Sequence, residues 1–494
     1  MDDHRLSDAP PPGGAAGSPP KPAAYAGLVD LDRPAWRLVL ALVWPALLQQ
    51  LILFAVGISD RFLAGHNGTL DPVRRVATQA AQTTAGYLAW FISSYAVLVN
   101  VGSTALVARF VGAGDRWAAV RATNQSLLLA AGLGLLGTAL GLAGLPALVA
   151  VLGLEGETAA YAVDYLRPLF ALLVFQLIES AGINCLVGAG DTRTGLWVLG
   201  GVAVINIPLA WGICWGVGPV PGLGFPGIAV GTALSHTLGG LVVVAVLLRG
   251  RAGLRLRPRL LWPDAGLLWR LLRISLPAGA DSLSVAVGQL WFVSIINGLG
   301  DDAKAAHGIA LNWEALGYLS GAAFGTAAIT LVGQNLGAGR PAQAARSGWT
   351  TFALGGAVMT LMGAVFFTLA APMFRLFCPD PGQQGIVAAG VPVLRLVAFA
   401  MPPLASCIIF TYALRGAGDT RLPMLFSWLG FFGVRIPLAY LFTRGRLDLG
   451  PLGTWPGLHL GLTGAWLAMF ADLVVRGLFF LGRFAGGRWQ RLRV

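Results

Sequence analysis

Gly188-Ala189-Gly190-Asp191-Thr192-Arg193 is followed, after an apolar stretch, by Ile207-Pro208-Leu209-Ala210-Trp211, and the chain later says the same again as Gly416-Ala417-Gly418-Asp419-Thr420-Arg421 and Ile436-Pro437-Leu438-Ala439-Tyr440. Both pairs keep nearly the same internal spacing, so the repeated unit is close to half of the 494-residue chain. Outward from these marks, Trp36-Arg37-Leu38 and Pro45 answer to Trp269-Arg270-Leu271 and Pro277. Val111-Gly112-Ala113-Gly114 answers to Leu336-Gly337-Ala338-Gly339, and Gly227 and Gly464 open similar small-residue stretches. A duplicated bundle is a common plan for a secondary transporter, with the substrate site between its halves.

Composition fixes the solvent. Hydrophobic residues make up 56% of the chain and charged ones 11%, whereas soluble domains carry about a quarter charged residues. The apolar runs recur near the ~20 residues that cross a bilayer as a helix, and the alternating ten-residue strands of a membrane barrel are absent. The reading is an all-α integral membrane protein with twelve transmembrane helices in two parallel six-helix repeats. The spans fall near 38–64, 78–108, 124–151, 168–190, 194–217, 226–248, 274–299, 305–334, 348–371, 390–414, 422–443 and 459–482. The corresponding organisation is a tail at 1–35, a first lobe at 36–248, a basic linker at 249–272, a second lobe at 273–482 and a basic tail at 483–494. Six spans is an even number, so both lobes enter the membrane from one side and are related by an axis along its normal.

The net charge of +12 follows topology rather than a nucleic-acid footprint. Arg109, Arg116 and Arg121 follow span two; Arg249, Arg251, Arg255, Arg257, Arg259, Arg270 and Arg273 separate spans six and seven; Arg483, Arg488, Arg491 and Arg493 follow span twelve. By the positive-inside rule these loops and both termini are cytoplasmic, which places a multi-pass protein in the cell's inner or plasma membrane. Residues 1–35, rich in Pro, Gly and Ala without an apolar core, read as a disordered tail and not a signal peptide. Cys185, Cys214, Cys378 and Cys407 form neither a metal motif nor a disulfide framework. Many of the 68 glycines lie inside spans, where small residues let helices approach. Pro45, Pro208, Pro277, Pro402, Pro403 and Pro437 each remove a backbone hydrogen bond, which is tolerated where protein or a wet cavity satisfies the freed carbonyl.

At these signatures the chain resembles the multidrug and toxic compound extrusion (MATE) family. The matching text comprises the two Gly-Ala-Gly-Asp-Thr-Arg turns, Leu331-Val332-Gly333-Gln334-Asn335-Leu336-Gly337-Ala338-Gly339, and Trp44-Pro45 followed by Ser59-Asp60-Arg61-Phe62-Leu63-Ala64-Gly65. The resemblance covers residues 36–482 and implies two lobes around a central cavity. It further implies a bilayer-embedded, non-enzymatic antiporter, expected as a monomer, that expels organic cations or other amphipathic small molecules in exchange for H+ or Na+. Beyond that ion no cofactor is expected, and no nucleic acid partner. Sodium-coupled members carry acids in spans seven and ten; here span seven reads Leu283-Ser284-Val285-Ala286, and no acid lies between Val391 and Leu414.

An ionisable group at membrane depth costs several kcal/mol and is a functional candidate by default. Asp472 with Arg476 and Asp164 with Arg167 stand one helical turn apart and read as structural pairs. Asp60, Glu179, Asp281 and Glu314 have no cation one turn away. Asp60 has Gly57 beside it, and the repeat places Phe292 at its position in the second half. The resemblance makes Asp60 the expected coupling carboxylate, for a proton or for Na+, with no other metal expected; Arg61 is expected to snorkel to the interface. Glu314, mid-span beside Ala310, Gly317 and Tyr318, reads as a substrate or proton site, and the family pattern also places a glutamate here. Glu179, with Gln176 one turn earlier, is either part of the coupling path or an interhelix bond. Asn206, just before Pro208, is either a cation ligand or the cap of a proline kink. Asp281, beside Ser282 and Ser284, serves packing or an inner gate. Trp90, Phe91, Tyr95 and Trp313 are candidates for cation–π contact with cargo. Asp191 and Asp419 suit helix N-caps, and neither Gly-Ala-Gly run is a phosphate loop. A flippase for a lipid-linked or polysaccharide precursor is the nearest rival, but it needs free cations for pyrophosphate, with only Arg395, Arg435 and Arg476 to supply them. A membrane-embedded transferase would cluster polar catalytic residues in one loop, and none does.

Overall fold

Glycine and proline punctuate a nearly unbroken series of long apolar helices in the computed structural model, which describes residues 30–65, 92, 94–151, 156–448 and 454–492. The first half runs α1 (Ala35–Gly65), α2 (Ser94–Gly112), α3 (Arg116–Val151), α4 (Gly156–Ala171), α5 (Leu173–Gly188), α6 (Thr192–Trp215) and α7 (Phe225–Arg249). The second runs α8 (Ala265–Asn297), α9 (Asp301–Gly337), α10 (Pro341–Arg375), α11 (Gln384–Gly416), α12 (Arg421–Trp428), a π-helical stretch Leu429–Arg435, α13 (Ile436–Thr443) and α14 (Gly461–Ala485). Among the described residues eleven helices are long and apolar enough to span a membrane. The twelfth is the pair α4 and α5, bent by 53°; the expected fourth span, beginning at Pro168, is thus the second part of a broken helix that starts at Gly156. Each half adds a short antiparallel hairpin after its fifth span, Gly216–Val217 with Val220–Pro221 and Arg446–Asp448 with Thr454–Pro456.

The repeated turns have one physical job. Gly190 and Gly418 have φ of 91° and 83°, a region open to glycine at no steric cost. In each turn the next N–H reaches back five residues: Asp191 donates to the Leu186 carbonyl and Asp419 to that of Leu414, both at 2.8 Å. This is a Schellman stop for one helix followed at once by the next. Asp191 caps α6 by accepting from Thr194 N–H at 3.0 Å and receives Arg251 Nε at 2.7 Å. Asp419 departs from the expected cap: Thr420 holds the cap position of α12, and Asp419 accepts instead from Arg483 Nε at 2.9 Å. Asp164 and Arg167 are both exposed and form no ion pair, so the pairing inferred from their spacing does not occur.

The helix that opens each half lends its first turns to the other half. Leu38, Val39, Leu42, Val43 and Ala46 of α1 pack into the large core of the second half, while Leu267, Leu271, Ile274 and Ala278 of α8 pack into that of the first. The polar contacts between halves gather at the same, arginine-rich end. Gly102 N–H donates to Ser275 Oγ at 2.9 Å, Thr330 Oγ1 to the Val187 carbonyl at 3.0 Å and Gln334 Nε2 to that of Gly188 at 2.8 Å. Arg109 donates to the carbonyls of Ala417 and Leu492. Ser282 to Ser94, at 3.0 Å, lies nearer mid-helix. Beyond it, among the described residues, only Arg61 Nη1 to Asn312 Oδ1 at 3.4 Å crosses between halves. Arg61 therefore points at the second half, not out to the interface. The halves are sutured at the basic end and part toward the other.

Candidate coupling and substrate sites

Three of the acids and amides singled out in the sequence converge in the first half. Asp60 on α1 is 9% exposed, Glu179 on α5 and Asn206 on α6 are each 2% exposed, and one oxygen of each is buried without a hydrogen-bond donor: Asp60 Oδ1, Glu179 Oε1 and Asn206 Oδ1. α7 ties them together. Thr232 Oγ1 receives Asn206 Nδ2 at 3.1 Å, and one turn later His236 Nδ1 donates to Glu179 Oε2 at 2.7 Å. His236 also lies close enough to Asp60 to act on its charge. One turn further, Gly239 has no side chain because Glu179 Oε1 and Val202 occupy the space a Cβ would need. One turn before Asp60 on α1, Gly57 faces open space. Buried polar atoms are nearly always paired, so three orphaned oxygens near one histidine single this place out among the described residues.

The second half builds a different core at the equivalent positions. Asp472 on α14 is fully buried and held by two arginines: Arg476 through Nε at 2.6 Å and Nη2 at 2.7 Å, Arg435 through Nε at 2.8 Å and Nη2 at 2.7 Å. Arg435 also donates to Gln289 Oε1 at 3.0 Å, and both guanidinium groups lie over the Phe431 ring, at 4.0 and 4.7 Å. The pair Asp472–Arg476 read from spacing is thus one side of a triad. The π stretch Leu429–Arg435 just before Pro437 carries Arg435 into it, whereas the matching Asn206 before Pro208 sits in an unbroken helix. Glu314 on α9, half-buried, faces this triad and feels the charges of Arg435 and Arg476.

Glu314 belongs to a stripe. α9 is mostly buried, yet Leu311, Glu314 and Ala315 are half-exposed and Tyr318 is 53% exposed, at i, i+3, i+4 and i+7. Residues 311 to 316 are all half-buried, so this length of α9 is only loosely covered, and Arg61 reaches Asn312 on it from the first half. Glu314 and Asp60 therefore belong to different halves and different surroundings. Asp281 is paired on one side only: its Oδ2 receives Arg415 Nη2 at 2.9 Å, a buried pair joining α8 to α11, while its Oδ1 is buried without a donor. Tyr95 donates to the Leu133 carbonyl at 2.8 Å within the first half, which makes it a packing residue. Trp313 stacks edgewise on Phe377 and leaves its Nε1 buried without a partner. Trp90 and Phe91 lie outside the described residues, as does the tail through residue 29. His236 was missed in the sequence because no ligand spacing singles it out; its position four residues after Thr232, on the face that meets Asn206, was the available signal.

Comparison with known proteins agrees with the duplication. The family pattern described as MatE matches twice, at residues 45–211 and 277–441, once in each half. The chain is 27% identical to the probable multidrug resistance protein NorM of Thermotoga maritima over 92% of its length and 93% of that protein's. It is 28% identical to the multidrug resistance protein PmpM of Pseudomonas aeruginosa, covering 86% and 88% of the two chains. Among solved structures it shares its fold with a MOP superfamily transporter from Pyrococcus furiosus, at a TM-score of 0.82 and 20% identity over 93% of this chain and 98% of that one. An outward-facing multidrug resistance MATE family transporter matches equally well, at 0.82 and 19% identity over 94% and 99%. With its two matched repeats, its helical membrane bundle and no enzymatic role in prospect, the chain belongs to the MatE family of multidrug and toxic compound extrusion transporters.

Proposed function

We propose that this protein is a multidrug efflux antiporter, embedded with its basic end and both termini in the cytoplasm, that exports cationic or amphipathic compounds in exchange for a proton. The observation that carries this reading is Asp60, a buried carboxylate with an orphaned oxygen on the helix shared by both halves. Burial without a full complement of donors favours a neutral carboxyl, so such a group takes up one positive charge and releases it when its surroundings change. A proton suits it better than Na+: a proton needs one carboxylate oxygen, whereas a metal ion needs several oxygen donors at once, and Glu179 Oε2 is already bonded to His236. Glu314 and the stripe through Tyr318 face the gap and form the substrate side.

In this reading the basic end is closed and the gap opens outward. Protonation of Asp60 from outside favours release of cargo; loss of the proton inward restores affinity as the halves rock. The energy suffices, since one charge moving through 100 mV yields about 2.3 kcal/mol and a tenfold cargo gradient costs about 1.4 kcal/mol. The flippase alternative loses support because Arg435 and Arg476 are both held by Asp472, and Arg395 lies over Phe367.

The test is efflux of a fluorescent organic cation from proteoliposomes under separately imposed pH and sodium gradients. Asp60→Asn is expected to abolish uphill transport, and Glu314→Gln to weaken cargo affinity while leaving the ion requirement. Unchanged uphill transport by Asp60→Asn would overturn the assignment.

A further inference from the structure

We propose that the Glu179–His236 pair is the ion-specificity determinant of the Asp60 site: it confines the first half to a single exchangeable proton and excludes Na+. The inference rests on Asp60 as the coupling carboxylate and extends it to residues with no role assigned so far.

The geometry supports it on three sides. Glu179 is buried and would by itself require a compensating charge; His236 supplies one at 2.7 Å, leaving the pair self-neutral and Asp60 alone to be balanced. The imidazole bonds Glu179 and also lies close enough to Asp60 to act on its charge. Without it, Glu179 is freed, and two acids and the Asn206 amide oxygen, each with an oxygen lacking a donor, offer the hard donors that suit a small hard cation. Specificity here is built by repulsion as well as attraction. Among the described residues, the groups facing His236 from its neighbours are few. α5 presents Glu179 and α1 presents Asp60; α6 presents the uncharged Asn206; α4 meets α7 through Tyr161 and Tyr165 against Phe225, three turns away.

The second half provides the contrast that a purely structural pair would not explain. Gly240 abuts the Phe175 backbone as Gly477 abuts that of Pro403, which aligns Glu179 with Cys407 and Gly239 with Arg476. Where the second half fills this layer with a fully bonded Arg–Asp–Arg triad, the first fills it with a single histidine bonded to one carboxylate.

The experiment compares His236→Gln, which keeps a donor for Glu179 and removes the charge, with the double variant Glu179→Gln/His236→Gln, which removes both charges. In purified protein, Na+ is expected to leave the wild-type melting temperature unmoved, to raise that of His236→Gln in a saturable manner, and to leave the double variant unmoved again. In proteoliposomes, a sodium gradient is expected to drive efflux by His236→Gln at least ~10-fold faster than by wild type, with proton-only driving restored in the double variant. A wild type stabilised by Na+, or a His236→Gln blind to it, overturns the proposal. If His236→Gln does not fold, the double variant decides: recovery of fold and proton-only transport supports it, and failure to recover overturns it. Intact uphill transport by Asp60→Asn would remove the coupling reading itself, whereas loss of transport there with a sodium-blind His236→Gln removes only this one.

Discussion

The two halves of this transporter share a backbone plan and divide their charges in opposite ways. In the first, the layer around α7 holds two acids, one histidine and three oxygens without donors. In the second, the same layer holds Arg435, Asp472 and Arg476 in a fully bonded triad, with Phe292 where the first half has Asp60. A saturated network rigidifies; an unsaturated one can exchange a charge. The first half is therefore the moving part of the chemistry and the second its fixed wall, with Glu314 facing the triad across the edge of the gap. The largest expected effect breaks or keeps this division. Asp472→Asn leaves two guanidinium groups buried against each other, and stripping a partner from a buried ion pair costs about 3–5 kcal/mol. Loss of the monodisperse folded protein on size-exclusion chromatography is expected. Asp60→Asn removes an under-bonded carboxylate, so its melting temperature should match or exceed wild type even though uphill transport stops. Equal instability of both variants would mean that the halves do not differ as described.

A matched glycine pair sharpens the same contrast at smaller amplitude. A Cβ at Gly430, in the π stretch, would run into Asp472 Oδ1 and the Arg476 stem, whereas one at Gly201, its counterpart in α6, would meet nothing within 4 Å. Gly430→Ala should cost about 1–3 kcal/mol through overpacking of the triad. Gly201→Ala should be neutral or stabilising by up to about 1 kcal/mol, since alanine is the better helix former. The check is the pair of melting curves measured side by side in one detergent; equal shifts would argue against a tight second half and a slack first one.

How much of this could be read from the chain depends on the distance over which the physics acts. The Gly-Ala-Gly-Asp turns were legible because a Schellman stop is a local affair of six residues, and Pro437 marked the place where the π stretch gives way to α13. Asp472 with Arg476 was legible for the same reason, one turn apart on one helix. Arg435 joining them was not, because the bond crosses from one helix to another. Asp281 looked uncompensated for want of a neighbour at one turn, yet Arg415 of α11 meets it. Asp164 and Arg167 show the converse: right spacing, solvated side chains, no bond. Spacing states which side chains share a face, and only packing decides what that face meets.

The smallest expected effect concerns the one region where the halves are alike, the sutured basic end. The acid just before the first helix of each half reaches an arginine at the third span of the other: Asp32 to Arg340 at 2.7 Å, and Asp264 to Arg121. These are solvent-exposed pairs, each worth about 0–1 kcal/mol, so neither holds the fold. They act only in the state with the basic end closed, and removing one should raise the open population by at most about fivefold. Asp264 adds a pH dependence of known sign. Its carboxyl accepts the Leu267 N–H that caps α8 and is held below the usual carboxylate range by that bond first and by Arg121 after it, against a smaller opposing effect of burial. A depressed acid contributes its stabilisation fully above the unfolded value near 4 and loses it as pH falls through its folded value. The latch should therefore be constant across neutral pH and weaken only below about pH 4. Labelling by a maleimide of a cysteine at Thr330, buried where the halves meet, reads the opening. The Asp32→Asn/Asp264→Asn background should label faster than the background with both pairs intact at neutral pH, and the two should converge in acid. Equal rates at neutral pH would show that apolar packing of α1 and α8 into each other's halves closes this end unaided.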